Sequence, residues 1–218
     1  MKIIAISDTH SRHQELELPE ADIILHAGDI RKKEKKGVQE IADFIKWFAS
    51  QKAKHKVFIA GNHDLFLEKE ENFFRGILPE GVHYLNDESI TIEGIKIWGS
   101  PVTPWFHEWA FNRYRGANIK QHWDKIPDDI DILLTHGPAK GILDSVGSEA
   151  VGCKDLMEKI KKLNKLKLHC FGHIHVQNGV KKIGDTFFVN ASLVDSQYKI
   201  INIPYIFNIQ NGEYDIET

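Results

Sequence analysis

The feature that most constrains this chain is a series of short apolar runs, five of which lead into residue types that bind metals. Lys2–Ser7, Asp22–His26, Lys56–Ala60, Ile95–Gly99, Asp131–Thr135, Leu168–Phe171, Thr186–Val189 and Tyr205–Ile209 are rich in Ile, Val, Leu and Phe, with lengths that suit buried strands. Asp8 and His10 follow the first, Asp29 the second, Asn62 and His63 the third, His136 the fifth, and His173 with His175 the sixth. In open α/β sheets ligands bind outside the carboxyl ends of the strands, so these residues converge if their strands lie side by side. The spacing of two within Asp8-Thr9-His10 and His173-Ile174-His175 directs both side chains of each pair to one face of extended chain, where they grip together. Gly28, Gly61 and Gly172 precede Asp29, Asn62 and His173; a residue without Cβ permits a sharp turn and a close approach to an ion.

Helical spacing joins Val38, Ile41, Ala42, Ile45, Phe48 and Ala49, and again Cys153, Leu156, Met157, Ile160 and Leu163, marking two amphipathic helices. Strands alternating with helices in the first half predict parallel pairing. The close-set runs from Tyr84 to Gly99 and from Gln177 to Val189 predict hairpins, so the sheets are mixed. The 218 residues are 42% hydrophobic and 27% charged, which excludes disorder and collagen. With no repeat and no Pro/Ser-rich linker, the expectation is one domain over residues 1–218. Cys153 and Cys170 are too few for a disulfide framework and suit a reducing compartment. No apolar stretch approaches the ~20 residues that span a bilayer, and Met1–Ile6 is too short for a signal-peptide core. A cytoplasmic protein with no membrane partner is expected. The net charge of −3 provides no general field for nucleic acid, which is therefore not an expected partner.

Asp8, His10, Asp29, Asn62, His136, His173 and His175 make seven candidate donors without a cysteine among them. One catalytic zinc needs three protein ligands, whereas two ions ~3.5–4 Å apart, bridged by a carboxylate, use seven well. A dinuclear site follows. Imidazole and carboxylate donors suit several divalent metals; manganese is the first choice, with iron, zinc, cobalt or magnesium open.

Asp8-Thr9-His10, Gly28-Asp29, Gly61-Asn62-His63-Asp64, Thr135-His136-Gly137 and Gly172-His173-Ile174-His175 resemble, in that order, the five blocks of the calcineurin-like metallophosphoesterases. Trp98–Phe106, Trp109–Arg113 and Val189–Leu193 are similar to segments of its small-phosphodiesterase subfamily, which includes the vertebrate brain-expressed metallophosphoesterase-domain proteins. The resemblance implies an α/β fold, a four-layer αββα sandwich of two mixed sheets flanked by helices. It implies that Asp8, His10 and His175 hold one metal, that Asn62, His136 and His173 hold the other, and that Asp29 bridges. A hydroxide between the ions would attack phosphorus in line. His63, left free of metal, would face the leaving oxygen as an acid, a role worth roughly 10²–10⁴-fold. Asp64 joins the catalytic set by orienting its neighbours. Asp64 stands where Glu is expected in close relatives, and His173 is present although some relatives lack its equivalent, which favours full competence.

The function implied is a dinuclear-metal-dependent phosphodiesterase of small phosphodiesters such as cyclic nucleotides. The alternatives are a nuclease or phosphomonoesterase of the same family, or a low-turnover nucleotide-binding protein. The acidic balance and the lack of room for an added DNA-binding domain count against the nuclease. The full donor set counts against the binder, because carboxylates and imidazoles crowded together without metal repel or sit desolvated. Trp105, Phe106, Trp109, Phe111 and Tyr114, interleaved with Arg113 and Arg115, form either core or a wall for a nucleobase beside cations for phosphate. The run Arg31-Lys32-Lys33-Glu34-Lys35-Lys36 is either a rim of the site or a solvated loop. The other histidines, His26 and His107 included, have no motif support, and a homodimer stays open.

Overall fold

Strand β1 (Lys2–Ile6) is buried at every position after Lys2, and a strand apolar on both sides has to be covered on both sides. The structure, a computed structural model, describes residues 1–32 and 37–217. From β1 the chain runs to β2 (Ala21–His26), then through α1 (Gly37–Ser50) to β3 (Ala53–Phe58), and through α2 (Leu65–Lys69) and α3 (Glu71–Gly76) to β4 (Val82–Tyr84). These four strands pair in parallel, as expected. A second sheet begins with the antiparallel hairpin of β5 (Glu88–Ile92) and β6 (Ile95–Ser100). The short ribbon of β7 (Thr103–Pro104) and β8 (Asn112–Arg113), then α4 (Ala117–Trp123), lead to β9 (Ile132–Thr135). Another ribbon, β10 (Ser145–Val146) with β11 (Glu149–Ala150), and α5 (Lys154–Ile160) lead to β12 (Leu168–Phe171) and the hairpin of β13 (Gly179–Ile183) and β14 (Thr186–Asn190). The chain returns to the first sheet as β15 (Tyr205–Gln210) and β16 (Glu213–Ile216). The sheet orders are β16-β15-β1-β2-β3-β4 and β13-β14-β12-β9-β6-β5, both mixed.

Period-two alternation sorts the apolar side chains into three seams. Ile3, Ala5, Ile23, Leu25 and Val57 meet Ile97, Ile132, Leu134 and Leu168 between the sheets. Ile4, Ile6, Ile24 and Phe58 pack under Phe44, Ile45 and Phe48 of α1. On the far side Trp98, Leu133 and Phe171 pack under Trp123 of α4 and Leu156 and Ile160 of α5. Helix, sheet, sheet, helix is the expected four-layer order, and each fully buried Ile or Phe in a seam contributes about 1.5–3 kcal/mol.

Two expectations are corrected. The first hairpin starts at Glu88, not Tyr84: Tyr84 packs with Phe58 under the helices, which commits β4 to the first sheet. The strands preceding the five metal-type blocks do not lie side by side in one sheet. β1, β2 and β3 belong to the first and β9 and β12 to the second, and the two edges are tied by a bridge between Ser7 and Ser192. Both cysteines are free and buried, and among the described residues no helix is long and apolar enough to cross a membrane.

His26 on β2 and His169 on β12 are fully buried, and burial pushes each ring down to about 3. Gly28 N–H donates to His26 Nδ1 at 3.2 Å, so the neutral ring gives its Nε2 proton to Thr9 Oγ1 at 3.0 Å and supports the Asp8-Thr9-His10 turn. Unfolded, both rings take a proton near their ordinary value, while folded they refuse it down to about 3. Their contribution is therefore complete above the ordinary value and is lost as pH falls below it, by about 1.4 kcal/mol per pH unit for each ring. Thermal unfolding of the metal-free protein is expected to show a falling Tm from about pH 7 to about pH 5, and a constant Tm would contradict this.

Candidate metal centre

The turns after the strands use left-handed backbone at non-glycine residues: φ is 55° at Asp8, 41° at His10, 55° at Asp29 and 69° at His173. Each such residue costs of order 1 kcal/mol, and such strain collects at functional sites. This corrects the extended-chain reading of the two spaced pairs, since the left-handed turns are what bring the side chains inward. Asp8, His10, Asp29 and His175 each offer a donor atom, all within 4.8 Å of one another, and Asp29, His136 and His173 form a second such group. His173 and His175 therefore fall in different groups and do not grip together. Asp29 belongs to both.

In the first group His175 Nε2 lies 3.2 Å from His10 Nε2 and 3.4 Å from Asp8 Oδ1, and His10 Nε2 lies 3.7 Å from Asp29 Oδ2. In the second, His136 Nε2 lies 3.3 Å from Asp29 Oδ1 and 2.8 Å from Asn62 Oδ1. Donor atoms about 2.1 Å from an ion stand about 3.0–3.4 Å apart, so the spacing suits coordination. The ring orientations suit it as well. Nδ1–H donates to a backbone carbonyl from His10 (Arg31, 3.0 Å), from His136 (Ala27, 2.8 Å) and from His175 (Asp195, 3.1 Å). A carbonyl only accepts, so each Nε2 keeps its lone pair toward the cluster. His10 faces His175, and His136 faces the Asn62 carbonyl, as acceptor against acceptor; only a proton or a cation satisfies either pair.

The electrostatics agree. Burial pushes His10 down to about 4 and His173 to about 3, against their carboxylate neighbours. Burial also opposes charge on His136, yet Asp29 lifts it to about 9. Burial alone would raise Asp8 and Asp29; His175 beside Asp8, and His136 and His63 beside Asp29, hold both well below the usual carboxylate range. Protons and cations thus compete for the same lone pairs.

The calcineurin-like phosphoesterase family profile matches residues 1–177. The chain belongs to this family. Metallophosphoesterase domain-containing protein 1 of Homo sapiens is 35% identical over 232 residues, covering 95% of this chain and 71% of its own. The fold is shared with TT1561 of Thermus thermophilus, at a TM-score of 0.64 and 16% identity over 99% of this chain and 97% of that one. It is also shared with a protein described as a novel archaeal phosphodiesterase, at a TM-score of 0.56 and 17% identity over 100% and 99%. Membership makes the chain a metal-dependent hydrolase of the phosphoesterase class.

Around the phosphoesterase centre, backbone holds the carboxylates. His173 N–H donates to both oxygens of Asp8, at 3.1 and 3.0 Å, and His63 N–H donates to Asp29 Oδ1 at 2.9 Å. A Cβ on Gly172 would overlap Asp8 Oδ2 and Ser7 Oγ, and one on Gly61 would overlap Asp29 Oδ1. These two glycines admit a carboxylate, while Gly28, with φ of 95°, makes the sharp turn. Asp64 is fully buried and accepts N–H from Gly61 (2.7 Å), Ile30 and Arg31 (3.2 Å each), tying the loop after β3 to the loop after β2. Burial and the Asp29 charge push Asp64 up to about 7. Its geometry is that of a positioning residue.

His63 stands outside both donor groups, with Nε2 3.8 Å from Asp29 Oδ2 and its ring centroid 4.9 Å from both His10 and Trp109. Tyr198, which no motif marked, packs 4.5 Å from His10 and 5.8 Å from His175 beneath the Lys32 ammonium. The aromatic segment divides. Phe111 is core, Trp109 meets His63, and Trp105 and Phe106 line a cavity of about 750 Å³ that His173 also lines. Arg113 is engaged away from the cavity, with Glu68 and His122, whereas Arg115 lines it and donates to the Val151 and Gly152 carbonyls. Of the basic run, Arg31 meets Glu40, and Lys33, Glu34, Lys35 and Lys36 lie outside the described residues.

Proposed function

We propose that this phosphoesterase is a phosphodiesterase that hydrolyses small phosphodiesters such as cyclic nucleotides with two divalent ions, manganese foremost. The observation that carries the reading is the pair of donor groups meeting at the Asp29 carboxylate, with lone pairs facing each other in each. Asp8, His10 and His175 would hold one ion and Asn62, His136 and His173 the other, with Asp29 bridging. Such ions, when bound, supply Lewis acidity that lowers the pKa of water and neutralises phosphate oxygens. The chain's own residues do the rest. The carbonyls of Arg31, Ala27 and Asp195 fix three rings, and His63 stands free to give a proton to the leaving oxygen. A cavity of about 750 Å³ suits a small ester, and the net charge of −3 disfavours a nuclease. The fold likeness to an archaeal phosphodiesterase points the same way.

The test is hydrolysis of bis-p-nitrophenyl phosphate beside p-nitrophenyl phosphate by metal-stripped protein, before and after Mn²⁺, with 2′,3′- and 3′,5′-cyclic AMP in the panel. Diester hydrolysis restored by Mn²⁺, above monoester hydrolysis, is the expected result. Faster monoester hydrolysis would make the protein a phosphomonoesterase. Two bound ions without turnover would make it a nucleotide-binding protein.

A further inference from the structure

The cavity beside His173 has two features that the metal centre does not use. Trp105 and Phe106 are about half exposed although apolar and aromatic. Tyr114 stacks on Trp105 at 4.8 Å and 8° without itself lining the cavity, so it backs one face of the indole and leaves the other to the open space. Phe106 meets Trp109 edge-on at 5.4 Å, and Trp109 meets His63 at 4.9 Å, so an aromatic wall runs unbroken from His63 into the cavity. Lys140 and Lys154 line the same cavity, and among the described residues neither ammonium has an ion pair. Glu149 and Asp155 oppose them, with Asp155 Oδ2 occupied by the Gly116 N–H at 3.1 Å.

We propose that this cavity is the specificity subsite of the enzyme and takes an aromatic, nucleobase-sized ester group of the phosphodiester, stacked on Trp105 and Phe106. The inference rests on the phosphodiesterase reading and adds to it which part of the substrate is recognised, and where. His173 places the cavity against the second donor group, so an ester whose phosphate lies at the metal centre reaches the indole with its substituent. A planar ring gains from stacking whichever base it is, so the subsite selects for a base over an alkyl group and discriminates weakly among bases. Lys140, Lys154 and Arg115 against Glu149 and Asp155 leave the lining one net positive charge, which favours an anionic ester.

The experiment compares two substrates with the same leaving group, thymidine 5′-(p-nitrophenyl phosphate) and methyl p-nitrophenyl phosphate, on the Mn²⁺-loaded protein. The wild type is expected to favour the thymidine ester. Trp105→Ala and Phe106→Ala are each expected to raise KM for that ester about 10-fold, with kcat and all methyl-ester kinetics unchanged, and Trp105→Phe to recover most of the loss. Equal effects on both esters, or none on either, would overturn the subsite. Should the loaded wild type hydrolyse neither ester, the phosphodiesterase reading falls, and calorimetric binding of thymidine 5′-phosphate decides the subsite alone. Binding weakened by Trp105→Ala would sustain it, and binding unchanged would sink it.

Discussion

Asp29→Asn is expected to bring metal content below two ions per chain and to reduce diester turnover by at least about 100-fold, in a protein that still folds. The expectation follows from the position of one carboxylate. Asp29 is the residue common to both donor groups, with Oδ1 3.3 Å from His136 and Oδ2 3.7 Å from His10. Losing a partner one shell out from a metal costs about 10–100-fold, and Asp29, proposed as a direct ligand of both ions, should cost at least as much. Asn preserves shape and one oxygen, which can still accept the His63 N–H now donated at 2.9 Å, so the loop after β3 keeps its anchor. What disappears is the charge. With it goes the attraction that lifts His136 to about 9, leaving two neutral acceptors, His136 Nε2 and Asn62 Oδ1, facing each other with less to satisfy them. Elemental analysis beside circular dichroism separates loss of metal from loss of fold. Two ions retained at full rate would refute the bridge.

The same residues show how much the sequence discloses. Each long apolar run became a strand, the central ones β1, β2, β9 and β12 because four consecutive buried side chains need cover on both faces, and the two helical stripes became α1 and α5. β4, β16 and the five- to seven-residue helices α2, α3 and α4 carried too little periodicity to be read. The donor blocks were legible because chemistry and position coincide at strand ends. Their three-dimensional logic was not: a spacing of two reads as extended chain, and nothing local announces φ of 41° at His10 or 69° at His173. Nor does a single strand reveal which of two sheets it joins, which is why Asp8 and His173 meet across a sheet boundary. Tyr198, Lys140 and Lys154 lie in segments without motif, and only the folded chain brings them to the site.

His63→Ala is expected to keep both ions and to lose activity in a manner that depends on the leaving group. His63 is a member of neither donor group, and its side chain is linked to the centre through ring packing on His10 and Trp109 and the 3.8 Å approach to Asp29. Truncation leaves every proposed ligand in place, and the backbone N–H that holds Asp29 survives in alanine. A positioned acid contributes most where the departing oxygen cannot carry its own charge. For an alkyl or ribose alcohol the loss should therefore reach roughly 10²–10⁴-fold in kcat, and for p-nitrophenolate, which departs readily without a proton, it should be far smaller. A purely structural histidine would lower both rates by one factor or remove metal. The ratio of the two losses, read beside metal content, thus separates a proton donor from a packing residue, and equal losses on both leaving groups would return His63 to a packing role between His10 and Trp109.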